Sequence, residues 1–165
     1  MDRFVPNEMA KVCVITAKAM KSFRSCNTIS DLLPMIDTVQ GELGAWYDCL
    51  PEFARTPQLA RTPWQDHALG IAYIHLGHLD GATLPMRRAF SMCNPGPDIP
   101  MSRLQPSEVS RLSIAFKDGV TAARQSAWVL HLFLGENRGV RHCWAIMYVQ
   151  VYACLALSIC LVLTL

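Results

Sequence analysis

Leu32, Ile36, Val39, Leu43, Trp46 and Leu50 follow one another at alternating steps of four and three residues, and Pro51 comes directly after them. In an α-helix that spacing returns every side chain to one face, whereas a strand would scatter them over both faces. A face so apolar has to be covered, so the stripe predicts helices packed on helices. Pro51 has no N–H to donate and pushes Leu50 out of the helical region, so the helix is expected to end there. Ser30-Asp31 marks its start, with Pro34 tolerated in the first turn. Gly41 and Gly44 weaken it by about 1 kcal/mol each relative to alanine, which suggests that they admit a neighbouring helix at close range.

The rest of the chain supplies candidate neighbours. Glu8 to Phe23 carries Met9, Val12, Cys13, Ile15, Ala19, Met20 and Phe23, with Asn7 as the expected N-cap and Glu8 suited to the positive end of the helix dipole. Residues 52–63 read as a linker. Thr62-Pro63-Trp64-Gln65 then reads as a capping box with proline at the first helical position. A third helix is expected through Leu69, Ala72, Tyr73, Leu76 and Leu79, with Gly81 as its stop before a short piece from Leu84 to Phe90. The prolines of Asn94 to Pro100 require a loop. Pro106-Ser107-Glu108 opens a further helical pattern through Leu112, Ala115, Phe116, Val120, Ala123, Ala127, Leu130 and Phe133, which Gly135, Asn137 and Gly139 end. Cys143 to Leu165 is apolar apart from Gln150, Ser158 and Thr164. No stretch alternates with the period of a strand, so the fold class is all-α, an irregular multi-helix bundle.

At 165 residues the chain fits one domain, and 52% hydrophobic against 17% charged residues argues against extensive disorder. The formal net charge is +2 and the arginines are scattered. No basic stripe follows a phosphate backbone, so direct nucleic-acid binding is not expected. Seven cysteines, an odd number set mostly in apolar helical runs, read as free thiols in a reducing compartment. Asp2, Arg3, Glu8 and Lys11 interrupt the first residues in a way a secretory signal does not.

Taken in order, these pieces resemble the middle homology region of fungal zinc-cluster transcription factors, over roughly residues 9–163. The resemblance rests on the first helix, then Leu43-x-x-Trp46-x-x-x-Leu50-Pro51, Leu69-x-x-x-Tyr73 and Met86-Arg87-Arg88-Ala89-Phe90. It continues through Gly119 to Gln125 and Cys143-Trp144-x-x-x-Tyr148 followed by Ala153. It implies a truncated helical regulatory domain and a nuclear protein that controls a metabolic or secondary-metabolite gene cluster through protein or effector contacts. Trp46, Trp64, Trp128 and Trp144 would then be packing anchors. The family's zinc cluster begins with a Cys-x-x-Cys pair, and no two cysteines here stand three apart, so the chain is expected to lack its own DNA-binding module. Under the resemblance, Cys143 to Leu165 is a core helix that another protein or a second copy covers. The same segment is also long enough to span the ~30 Å hydrocarbon core of a bilayer, with Arg138, Arg141 and His142 at its start, so a tail-anchored membrane protein is the alternative.

No catalytic, cofactor-binding or metal-ligating residue is assigned. His67, His75 and His78 lie near one helical face, and His75-x-x-His78 offers two imidazoles, but only Asp66 and Asp80 are close in sequence as further ligands, so satisfied or surface histidines are expected. Arg87-Arg88 suggests an acidic effector or, more simply, a solvated edge. Lys117 with Asp118, or Glu136 with Arg138, has no spacing that singles it out as an acid–base pair, and the motifs of phosphate loops, serine elbows and zinc proteases are absent. A biosynthetic enzyme or accessory factor remains the reading to which a large apolar cavity with convergent His67, His75 or His78 would point.

Overall fold

The computed structural model describes residues 3–55, 68–93 and 104–135. Among them the protein is all-α, with helices α1 (Phe4–Ser25), α2 (Ile29–Asp48), α3 (Ala68–Cys93) and α4 (Pro106–Gly135), and a 3-10 turn at Glu52–Ala54. The expected capping box at Thr62 to Gln65, the proline-rich loop, Trp64, Trp144 and His67 lie outside the described residues.

α1 begins a turn earlier than the sequence suggests. Pro6 falls in its first turn, where a backbone N–H has no helical partner to lose. Asn7 is therefore inside the helix, donating its N–H to the Arg3 carbonyl at 3.1 Å, and is not the cap. The apolar side of α1 buries Val12, Thr16, Ala19 and Phe23.

α2 starts at a reciprocal capping box. The Thr28 hydroxyl accepts from the Asp31 N–H at 3.1 Å, and the Asp31 carboxylate accepts from the Thr28 N–H at 3.2 Å. With the start at Ile29, Pro34 lies past the first turn, where it withholds a donor from the Ser30 carbonyl. The helix ends at Asp48 with Cys49 as its C-cap, two residues short of the expected end. The defining stripe is nonetheless intact: Leu32, Ile36, Val39, Leu43, Trp46 and Leu50 are all buried, none more than 7% exposed. Each such side chain contributes about 2 kcal/mol by leaving water, before the entropy of ordering it is counted.

α3 runs through both Gly81 and Pro85, so Gly81 is not a stop. Its role is contact. A Cβ at Gly81 would stand 3.1 Å from both Leu43 Cδ2 and Thr16 Oγ1, and one at Gly77 would stand 2.6 Å from Val12 Cγ1. Close helix approach thus occurs at α3, while Gly41 and Gly44 of α2 have nothing within 4 Å of an added Cβ, contrary to the expectation for them.

The pairings fix the directions of the helices. Val12 meets Gly77, Thr16 meets Gly81, and Arg88 reaches the Phe23 carbonyl, so α1 and α3 run parallel. Ser30 bonds Glu108, Asp37 pairs with Arg111 and Gln40 bonds Asp118, so α2 and α4 run parallel. Gly119 lies on Met86, and the Ser126 hydroxyl donates to the His75 carbonyl, which makes α3 and α4 antiparallel. The result is an up-down-up-down bundle. At the start of α4 the Glu108 carboxylate accepts from the Ser30 hydroxyl at 2.5 Å and the Gln105 N–H at 2.9 Å. These bonds, the Ser30 one foremost, hold the Glu108 carboxyl below its usual range.

The expectation of a membrane as partner is corrected. Among the described residues no helix is long and apolar enough to cross a membrane. α1 carries Lys11, Lys18, Lys21 and Arg24, and α4 carries Arg111, Lys117, Asp118 and Arg124. Each such charge costs about 3 kcal/mol at the bilayer centre. Residues 143–165, where the membrane and covering-protein expectations were placed, lie outside the described residues.

Candidate functional site

Where α2, α3 and α4 meet, aromatic and imidazole rings collect around His78. Tyr47 of α2 stacks on it with ring centroids 4.9 Å apart and planes 23° from parallel. Trp46 is tilted against it at 5.8 Å, and His75 meets the edge of Tyr47 at 6.1 Å. The helical periods explain the cluster: Trp46 and Tyr47 straddle the buried stripe of α2, and His75 and His78 are one turn apart on α3.

Polar partners are unevenly distributed in this cluster. Trp46 donates its indole N–H to Glu8 Oε2 at 2.9 Å, and Lys11 Nζ pairs with Glu8 Oε1 at 2.7 Å, which accounts for a buried carboxylate on α1. His75 Nε2 lies 2.9 Å from the Ala54 carbonyl. A carbonyl can only accept, so Nε2 carries the proton and Nδ1 is a bare acceptor. Neither His75 Nδ1 nor His78 Nδ1 has a hydrogen-bond partner among the described residues. Burial lowers the pKa of His75, opposed by its bond to the Ala54 carbonyl. Burial, with His75 nearby, lowers that of His78 to about 4. Both imidazoles are neutral at neutral pH.

His78 lines a groove of about 260 Å³ between α2, α3 and α4. Tyr47 and Asp48 enter from α2, and Asp118, Thr121 and Gln125 from one face of α4. Asp118 accepts a hydrogen bond from Gln40 at 2.7 Å, which fixes its carboxylate at the mouth. The groove thus brings together an aromatic wall, two carboxylates, an amide and a neutral imidazole, groups able to hydrogen-bond and stack on a small polar molecule.

No family model, curated protein or solved structure matches this chain. Its function must therefore be read from the site itself.

The sequence candidates fare differently. His75 and His78 are brought to one aromatic cluster, but only His78 lines the groove, and the described residues contain no group of three metal-ligating side chains. Arg88 is no solvated edge: its Nε and Nη2 donate to the carbonyls of Phe23 and Cys26 at 3.1 and 2.7 Å, capping the end of α1. Arg87 pairs with Asp80 at 2.6 Å. Asp118 faces Gln40 in place of acting with Lys117 as an acid–base pair. Trp46 is a packing anchor, but Trp128 is 36% exposed and is not. Cys13, Cys26 and Cys49 are free thiols, and Cys13 and Cys49 are exposed, not core hydrophobes. The groove residues Tyr47, Asp48, Thr121 and Gln125 were missed. Thr121 and Gln125 had one signal, the one-face spacing of polar positions 118, 121 and 125 on α4; Tyr47 and Asp48 of α2 had none.

Proposed function

We propose that this chain is a transcription-factor-like regulatory domain of a fungus, without its own DNA-binding module, that responds to a small polar effector seated between α2 and α4. The observation that carries the reading is the groove at His78: recognition groups from three helices converge on it, so an occupant would bear on the spacing of the helices that form it. Control of a metabolic or secondary-metabolite gene cluster, and a place in the nucleus, are what the motif order from Met9 to Phe23 and from Leu43 to Pro51 adds to this reading.

The test is a reporter assay in a fungal host with the chain fused to a heterologous DNA-binding module. The fusion is expected to change reporter transcription severalfold over the module alone under at least one nutritional condition, and to accumulate in the nucleus. A fusion that folds and accumulates but leaves the reporter at the module's own level throughout would overturn the proposal.

A further inference from the structure

A second groove, of about 280 Å³, lies between α1 and α3, and three arginines line it: Arg24, Arg87 and Arg88. Because α1 and α3 run parallel, their C-terminal parts reach the same end of the bundle and bring Arg24 beside the Arg87-Arg88 pair. Among the described residues no carboxylate lines this groove. Asp80, two turns earlier on the same face of α3, engages Arg87, so Arg24 and Arg88 carry the positive charge that remains at the rim.

The guanidinium groups are held in place. Arg88 is fixed by its two bonds to the last carbonyls of α1, and these occupy Nε and Nη2, so Nη1 is not committed to those carbonyls. Arg87 is fixed by Asp80. Arg24, in the last turn of α1, makes no hydrogen bond or ion pair with the described residues. Arg24 and Arg88 together match a carboxylate, which guanidinium binds in bidentate fashion, while Arg87 stays on Asp80. Ser91 adds a hydroxyl at the rim.

The floor decides what else the ligand carries. Phe23, Leu84 and Met20 line the groove between the arginines, and Met20 is 43% exposed. A hydrated inorganic anion would satisfy the arginines and leave this apolar strip in water, whereas a carboxylate with a short hydrocarbon tail covers it. We infer that the α1–α3 groove binds an amphipathic carboxylate, its head on Arg24 and Arg88 and its tail along Met20, Leu84 and Phe23. This site is separate from the His78 groove and does not depend on the function proposed for that groove.

The experiment titrates the whole chain, methyl-labelled at methionine, with octanoate, octylammonium and inorganic phosphate, in wild type and in Arg24→Gln. Arg24 is exposed and bonds to none of the described residues, so the variant keeps the fold. Octanoate is expected to shift the Met20 methyl signal saturably. Octylammonium and phosphate should bind at least about fivefold more weakly, and Arg24→Gln should weaken octanoate by about two- to fivefold, the scale of one exposed charge pair. No saturable shift at Met20, equal binding of octylammonium or phosphate, or a smaller loss in Arg24→Gln overturns the inference.

Discussion

Acidifying the protein from about pH 7 to about pH 5 should destabilise it through His78. In the unfolded chain His78 takes up its proton near the ordinary histidine value of 6.5, but in the folded protein only at about 4. Its folded pKa is depressed, so its neutral form is the native one: stability is full above about pH 6.5 and declines as pH falls toward the folded value. Within that window the unfolded state holds one proton the folded state does not, a slope of about 1.4 kcal/mol per pH unit. Across the whole window His78 removes about 3 kcal/mol, a large part of the 5–15 kcal/mol by which domains are ordinarily stable. Burial pushes His75 the same way, so it adds to the slope. Urea unfolding followed by circular dichroism at several pH values, for wild type and His78→Gln, separates the two. Glutamine does not titrate, so the variant's stability should fall with acid less steeply by about one proton. Equal pH slopes in the two proteins, or a wild type that gains stability on acidification, would refute the argument.

Three further outcomes follow from the packing. Gly41→Ala, with open space around its Cβ, should stabilise the protein by about 1 kcal/mol, measured as a raised urea midpoint at unchanged m-value. Gly77→Ala drives a Cβ to 2.6 Å from Val12 Cγ1; Val12 is stiff at χ1 and cannot yield, so a loss of about 1–3 kcal/mol is expected in the same assay. Trp46→Phe keeps most of the buried area but removes the donor to Glu8 Oε2, leaving a buried carboxylate oxygen without that bond; a loss of about 1–3 kcal/mol is expected, and Glu8→Gln combined with it should recover part. A combined variant no more stable than Trp46→Phe alone contradicts that assignment.

The all-α class and the buried face of α2 were legible because they depend on period alone, and a period of three and four survives any tertiary arrangement. Boundaries were less so. Asn7 and Ser30 are good local signals, but the first turn of α1 accepted Pro6, and Thr28 with Asp31 made a better box than Ser30 did. Gly81 illustrates the larger gap: a glycine after an amphipathic run reads as a stop, yet here it is where Thr16 and Leu43 touch α3. Which of the two applies depends on the neighbouring helix, and no local window contains that neighbour. The same holds for the grooves. Tyr47 and His78 are 31 positions apart in the chain and become a stacked pair only through the antiparallel packing of α2 on α3. Arg88 looked exposed because its acceptors, the carbonyls at the end of α1, are supplied by a distant turn.

If the His78 groove is the regulatory site we propose, blocking it should silence the response. Thr121 is exposed on α4 and lines the groove, so Thr121→Phe fills the opening at little cost to the core. In the fusion reporter assay, with urea unfolding to check the fold, Thr121→Phe is expected to abolish the condition-dependent change in transcription while the protein stays folded. A folded Thr121→Phe fusion that responds as fully as wild type would contradict the claim.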